Sequence, residues 1–165
     1  MEPVTLPMRR THMRPIAIAA TILAAPAGAQ SLDDWSGPFG GVSLGAGDGA
    51  VAGAFAGYQQ DYGGLVLGGE LEGSLGENAD AVRLKLRAGA PVAGTLVYGL
   101  GGIGYADGTI GGLTGEGAGY VLGIGAEREV APGLRLGAEL TRDEYDFGIG
   151  DAEETKIRAR LTLNF

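Results

Sequence analysis

Apolar and polar residues alternate strictly along the last ten residues of the chain, which predicts a β-strand. The apolar face carries Ile157, Ala159, Leu161, Leu163 and Phe165, and the polar face carries Lys156, Arg158, Arg160, Thr162 and Asn164. Because side chains on a strand point alternately to opposite faces, three cations share the polar face. A membrane barrel turns its apolar face to lipid and its polar face to the lumen. The pattern is therefore typical of a transmembrane strand.

The same alternation, followed between turn signals, predicts eight strands of about ten residues. They cover residues 38–47, 50–60, 64–74, 80–90, 94–106, 117–130, 133–145 and 154–165. Ten residues at about 3.3 Å each, tilted by about 40°, rise about 25 Å, which is the height of the apolar band on an outer-membrane barrel. The predicted fold class is all-β: an eight-stranded antiparallel up-and-down transmembrane β-barrel.

The connections between these strands alternate in length. Tight turns are predicted at residues 61–63, 91–93 and 131–133, and longer connections at 76–79, 107–116 and 146–153. Short periplasmic turns opposite longer external loops are the usual barrel arrangement. We therefore expect the longer set, which is mostly acidic or glycine-rich, to face outward from the cell.

Charged residues lie opposite the apolar stripe on five of the predicted strands. They are Glu70, Glu72, Arg83, Lys85, Arg87, Glu127, Arg135, Glu139, Lys156, Arg158 and Arg160. A desolvated charge is tolerable only when it is paired, so the pattern predicts an ion-pair network that fills the lumen. Pairing is expected between the third and fourth strands and between the seventh and eighth. Four carboxylates face seven cations, so Asp143, or bound anions and water, must offset the surplus.

The N-terminal segment has the features of a secretory signal. Arg9, Arg10 and Arg14 precede an apolar run at 16–25, and a small-x-small cleavage site formed by Ala27, Gly28 and Ala29 precedes Gln30. The run is too short to span a bilayer, which takes about 20 apolar residues. We predict a cleaved signal peptide at residues 1–29, a barrel domain at 30–165 and localisation in the bacterial outer membrane. A retained N-terminal anchor is the competing interpretation.

The same charged faces also fit a lipocalin-like soluble barrel, with the cations outside and the apolar stripe as core. Alternation alone leaves both arrangements open. The predicted signal peptide and the terminal Phe165 favour the membrane barrel.

Composition excludes several classes of function. Without residues 1–29 the chain keeps nine of 12 basic and 19 of 20 acidic residues, a net charge of −10, which argues against nucleic-acid binding. The chain has no cysteine, and its one histidine, His12, lies in the predicted signal. Catalytic triads, cysteine nucleophiles and histidine-ligated metals or haem are thus excluded from the predicted mature chain. We expect no enzyme activity and no cofactor.

Two acidic groups could in principle carry chemistry, although their surroundings disfavour it. Glu70 and Glu72 lie about 7 Å apart on one strand face, which permits carboxylate catalysis, but adjacent cations favour structural ion pairs. The segment 146–154 is rich in acids and could attract Ca²⁺. It lacks the oxygen-ligand spacing of a dedicated calcium loop, so a solvated acidic loop is favoured.

Several stretches resemble one protein family. They are Trp35–Gly41 (W-S-G-P-F-G-G), Ala56–Tyr58 with Leu65–Glu70, Tyr120–Glu127 with Leu136–Glu139, and the last strand. In order and spacing they resemble the small outer-membrane β-barrel family of proteobacteria, the porin-family or opacity-type surface proteins. Leu161, Leu163 and Phe165 resemble the C-terminal sorting signal of such barrels, which implies the barrel-assembly machinery as a partner. The external loops look shorter than is usual in the family.

Three functions follow as hypotheses. The first is a structural or surface role for an integral outer-membrane barrel with a charge-filled lumen. The second is a narrow porin-like channel for ions or small solutes, and the third is surface interaction through acidic external loops. The expected partners are outer-membrane lipid, lipopolysaccharide and the assembly machinery. We expect a monomer.

Overall fold

The computed structural model describes residues 35–110, 113–147 and 151–165. In these ranges the chain forms eight β-strands: β1 Gly37–Ala46, β2 Ala50–Asp61, β3 Val66–Gly76, β4 Ala79–Val92, β5 Thr95–Ile110, β6 Leu113–Ala131, β7 Leu134–Asp146 and β8 Asp151–Asn164. Consecutive strands pair antiparallel, and β1 also pairs with β8, so the sheet closes into a barrel. The predicted eight-stranded all-β barrel is confirmed. The predicted signal peptide and its cleavage site at Ala27, Ala29 and Gln30 lie outside the described residues.

The barrel has its apolar side chains outside and its charges inside. On β4, Leu86 is 70% exposed on the outer face, whereas Lys85 beside it is 1% exposed. The register repeats this contrast on neighbouring strands, because Glu70 of β3 lies directly opposite Lys85, and Leu71 lies opposite Leu84. In the part of the chain that the structure describes, no helix is long and apolar enough to cross a membrane.

The two ends of the barrel differ, and we name them by their connections. The terminal end holds both described chain ends and the turns after β2, β4 and β6; the loop end holds the connections after β1, β3, β5 and β7. The turn between β4 and β5 is Ala93–Gly94, with φ of 51° and 75°, as a two-residue type I′ turn requires. The predicted turn at 91–93 is therefore displaced, because Pro91 and Val92 still pair with β5.

The connections at the loop end are shorter than the sequence predicts. Asp107 pairs with Glu116 and Gly108 with Gly115, so most of the predicted loop 107–116 is strand. Glycine and aspartate are uncommon in strands, which is why the pattern indicated a loop. Pairing between β5 and β6 overrides that preference. Similarly, β8 begins at Asp151, inside the predicted loop 146–153.

Candidate functional site

The middle of the lumen is filled by charged side chains from five strands, which we call the charged belt. Every member is less than 8% exposed. Its members are Glu70, Glu72, Arg83, Lys85, Arg87, Glu127, Glu139, Asp143, Lys156, Arg158 and Arg160. They point inward because each lies at the inward position of the strand alternation.

Arg160 of β8 makes the largest set of contacts across the lumen. Its Nη2 lies 2.6 Å from Glu70 Oε2 on β3, and its Nη1 lies 2.9 Å from Glu139 Oε2 on β7. Its Nε lies 3.2 Å from Glu127 Oε1 on β6, and its guanidinium carbon lies 3.7 Å from the centre of the Phe55 ring. One side chain thus connects β8 to β2, β3, β6 and β7.

Glu72 is surrounded by three cations. Its carboxylate accepts from Arg83 Nη1 at 3.0 Å, Lys85 Nζ at 2.7 Å and Arg158 Nη1 at 3.0 Å. Lys85 also lies 2.6 Å from Glu70 and 3.3 Å from Glu139. The two carboxylates that raised the possibility of catalysis are therefore both held in ion pairs.

Asp143 supplies a fifth buried carboxylate near the loop end. Its Oδ2 accepts from Arg83 Nη2 at 2.7 Å and from Lys156 Nζ at 3.0 Å. Lys156 also pairs with Glu154 at 2.5 Å. Among the described residues the buried cations number seven and the buried carboxylates five, so a surplus of positive charge remains in the lumen.

The observed ion pairs differ in part from the predicted pairing between neighbouring strands. Lys85 and Glu70 do pair across β3 and β4. The shortest contacts of Arg158 and Arg160, however, cross the lumen from β8 to β3. Arg135 is also buried in the lumen, and its guanidinium carbon lies 4.4 Å from the centre of the Trp35 ring.

Aromatic rings inside the lumen pack against several of the charged side chains. The guanidinium carbon of Arg87 lies 5.0 Å from the centre of the Phe39 ring and 4.2 Å from the centre of the Tyr98 ring. The Tyr98 hydroxyl donates to Glu139 at 3.3 Å. The Tyr98 ring lies directly on Gly125, where an added Cβ would come within 2.4 Å of it. Gly125 is therefore required by this close approach.

Sequence reasoning missed these aromatic residues. The strand alternation that places the charges also places Phe39, Phe55 and Tyr98 inward, so the signal was present. It was overlooked because an apolar ring inside a polar lumen runs against the simple rule of polar inside and apolar outside.

An apolar layer lies at each end of the lumen. At the terminal end, Trp35, Val66 and Leu96 are buried in a cluster that continues through Tyr98 and Leu100 to Val121, which pairs with Asp143 at the depth of the charged belt. At the loop end the cluster consists of Ala81, Ala106, Tyr145 and Phe147. A cavity of about 60 Å³ lies beside this second layer and reaches Arg83 and Lys156. Trp35, Val66 and Leu96 thus form an apolar layer on the terminal side of the charged belt, and the second cluster forms one on its loop side.

The charged belt is held together by ion pairs and hydrogen bonds. No group of three or more acidic or histidine side chains within ranges 35–110, 113–147 and 151–165 is arranged to hold a metal ion. The belt residues bind one another. Their arrangement can connect strands across the lumen and can block a path through it.

The predicted assembly-signal residues lie on the last strand and just after it. Leu161 and Leu163 are exposed on the outer face of β8, and Phe165 follows the strand with its backbone N–H donating to Pro38 O at 3.0 Å. The three residues thus form an apolar end beside the β1–β8 seam.

Comparison with known protein families finds no match, and comparison with curated proteins finds none either. Among solved structures the chain is similar to the crystal structure of Neisserial surface protein A, with 13% identity, coverage of 78% of this chain and 96% of that chain, and a TM-score of 0.48. It is also similar to the KdgM porin, with 11% identity, coverage of 77% and 99%, and a TM-score of 0.30. At these values the fold assignment rests on the strand pairing described above.

Proposed function

We propose that the protein is an integral barrel of the bacterial outer membrane, closed by its own side chains, with a structural role at the cell surface. The observation that carries this proposal is the inverted polarity of a closed barrel. Buried charges fill its interior, while leucine, valine and isoleucine cover its exterior, with Leu44, Leu86 and Ile103 each about two-thirds exposed. In water such a surface would aggregate, whereas in lipid it is the favourable arrangement.

Exposed tyrosines border the apolar exterior at both ends. Tyr58 and Tyr62 lie near the terminal end, and Tyr105 and Tyr120 lie near the loop end. Aromatic girdles at the two membrane interfaces are typical of outer-membrane barrels. The tyrosines support a bilayer position between these two levels, with the terminal end in the periplasm and the acidic loop end outside the cell.

Fractionation and heat-modifiable migration test this proposal. We expect the protein in the outer-membrane fraction, with an unboiled sample migrating differently from a boiled one in detergent gels, since a closed barrel resists unfolding by detergent alone. Recovery in a soluble fraction, with identical migration before and after boiling, would rule out the membrane barrel.

A narrow channel is the second candidate function, and the observation that favours it is the surplus of cations in the lumen. An eight-stranded barrel is just wide enough for its own side chains, so the charged belt leaves little free cross-section. Any residual path runs past fixed positive charge in a low-dielectric constriction, which favours anions. The acidic groups of the loop end would favour cations instead if the mouth controlled selectivity.

Planar-bilayer recording separates the closed barrel from the channel. We expect very little steady conductance for the wild type, and a higher conductance with weaker anion preference for Arg158→Ser combined with Arg160→Ser. Reversal potentials in a salt gradient measure the preference. Large stable currents in the wild type would instead make transport the main function.

The partners that we propose follow from the outer surface. The apolar exterior fits outer-membrane lipid, and the acidic loop end fits lipopolysaccharide bridged by divalent cations. The apolar end of β8 fits the barrel-assembly machinery. Surface interaction through the loop end stays a weaker proposal, because its connections are short. We propose a monomer.

Deleting Phe165 should lower the yield of assembled barrel in cells more than the yield of refolding into detergent micelles. The deletion removes the terminal aromatic but leaves every belt residue in place. Quantifying heat-modifiable protein in outer membranes and in refolding reactions measures both yields. Equal losses in the two would show that Phe165 acts through stability and not through assembly. Phe165→Tyr, which keeps the terminal aromatic, is the control.

A further inference from the structure

Trp35 precedes the first strand, yet it is one of the most deeply buried side chains of the described residues. It is 2% exposed and packs in the terminal-end layer with Val66 and Leu96. A residue that belongs to no strand thus packs inside the lumen at the terminal end. Gly37, two residues after Trp35, has φ of 117°, a backbone conformation that L-amino acids with side chains rarely adopt. Gly37 therefore lies at the junction between the lumen segment and the wall.

The surroundings of the indole ring form a built pocket. Arg135 of β7 is 1% exposed, and its guanidinium carbon lies 4.4 Å from the ring centre, within the range of a cation–π contact. Tryptophan is the best aromatic partner for such a contact. Apolar side chains of β3 and β5 complete the walls.

Hydrogen bonds hold the same segment against two strands. Ser36 Oγ accepts from Gln60 Nε2 at 3.0 Å and from the Asp61 backbone N–H at 3.1 Å. Asn164 Nδ2 of β8 donates to Ser36 O at 3.3 Å. These contacts fix the segment at the end of β2 and at the end of β8, and so fix the position of the ring.

We propose that the terminal end of the lumen is a binding pocket for an indole ring, and that Trp35 occupies it as a stopper supplied by the chain itself. The stopper closes the lumen on the periplasmic side, separately from the charged belt. The periplasmic assignment rests on the proposed function; the pocket and its occupant do not. The ligand chemistry that this pocket recognises is a flat, electron-rich indole between apolar walls and a guanidinium group.

Fluorescence tests the stopper directly, because Trp35 is the only tryptophan in the chain. In barrel refolded into vesicles, we expect blue-shifted emission with little quenching by acrylamide from water and little by brominated lipid. Ser36→Ala, which removes an acceptor that holds the segment, should raise acrylamide quenching at least twofold, while Ser43→Ala, on β1 inside the lumen, should leave it unchanged. Strong quenching of the wild type by either reagent would overturn the proposal.

Free indole tests the pocket. Trp35→Ala should bind indole saturably, seen as a blue shift of indole emission, while the wild type should not, because its own ring fills the site. Adding Arg135→Gln to Trp35→Ala should weaken indole binding by about threefold to tenfold, the effect of losing one cation–π contact. Absence of binding to heat-modifiable Trp35→Ala would overturn the proposal. If that variant does not fold, an unchanged quenching of Ser36→Ala overturns it instead.

The two proposals fail separately. If the protein is not found in the outer membrane, the proposed function is wrong. The indole-binding and quenching experiments can still give the results expected for the stopper. Conversely, a correctly localised barrel whose terminal end is open would contradict only the stopper proposal. A barrel with Arg158→Ser and Arg160→Ser should conduct more when Trp35→Ala is added, because two separate closures are then removed; equal conductance would count against a stopper.

Discussion

Replacing Arg160 by methionine should lower the free energy of unfolding by about 3 kcal/mol or more, the range for breaking a buried ion pair. The substitution keeps most of the volume but removes the cation shared by Glu70, Glu127 and Glu139. Each of these carboxylates then has fewer cations beside it, or only longer contacts to the remaining cations. All three carboxylates stay buried. Urea unfolding in lipid vesicles, followed by circular dichroism, measures the loss.

Lys156→Met is the matched control, because it also removes one cation of β8. Lys156 lies near the loop end, where its partner Glu154 is partly exposed to solvent and its buried partner Asp143 keeps Arg83 at 2.7 Å. We therefore expect a cost of about 1 kcal/mol, as for ion pairs in contact with water. Arg160→Met combined with Glu70→Gln should cost less than the sum of the two single changes, by about 0.5–3 kcal/mol. Additive costs would mean that the pair across the lumen does not form.

Placing an arginine at Leu86 should cost about 2–4 kcal/mol, because this residue lies at the middle of β4 on the outer face. Its side chain is 70% exposed, so the loss comes from contact with lipid and not from a disturbed interior. Unfolding from vesicles should show this cost in full. Unfolding from a more fluid detergent micelle should show less of it.

Leu75→Arg is the depth control for that substitution. Leu75 is the second-last residue of β3, at the loop end, and is 66% exposed on the same outer face. A cation there reaches the interface, so we expect a cost of about 0–1 kcal/mol. Similar costs at Leu86 and Leu75 in vesicles would show that the exterior does not cross a bilayer.

The strands and their facing could be predicted because they depend on local features. Period-two alternation fixes which side chains share a face, and turn residues such as Pro132 and Gly133 separate the segments. Consequently the inward position of Arg158 and Glu72 follows from sequence alone. The boundaries of β5 and β6 do not follow from sequence alone. Pairing between the strands decides whether Asp107 and Gly108 extend a hairpin or form a loop.

The partners inside the lumen could not be predicted, because they depend on the radius and stagger of the closed barrel. Those quantities decide that Arg160 reaches Glu70 across the lumen as well as Glu139 on the adjacent strand. The layers at the ends were also missed. Trp35 lies outside every strand, so alternation contains no information about its position.

The seam between β1 and β8 determines the order in which this barrel can assemble. The cations that Arg158 and Arg160 bring to Glu72 and Glu70 are on β8, 86 and 90 residues later in the chain. Until β8 pairs with β1, the inner face of β3 lacks these distant counterions and would meet lipid with charges exposed. Closing the sheet therefore also completes the neutralisation of its interior. A sheet of this protein that lacks β8 would have to stay shielded from lipid, so we predict that β8 pairs with β1 before the sheet enters a bilayer.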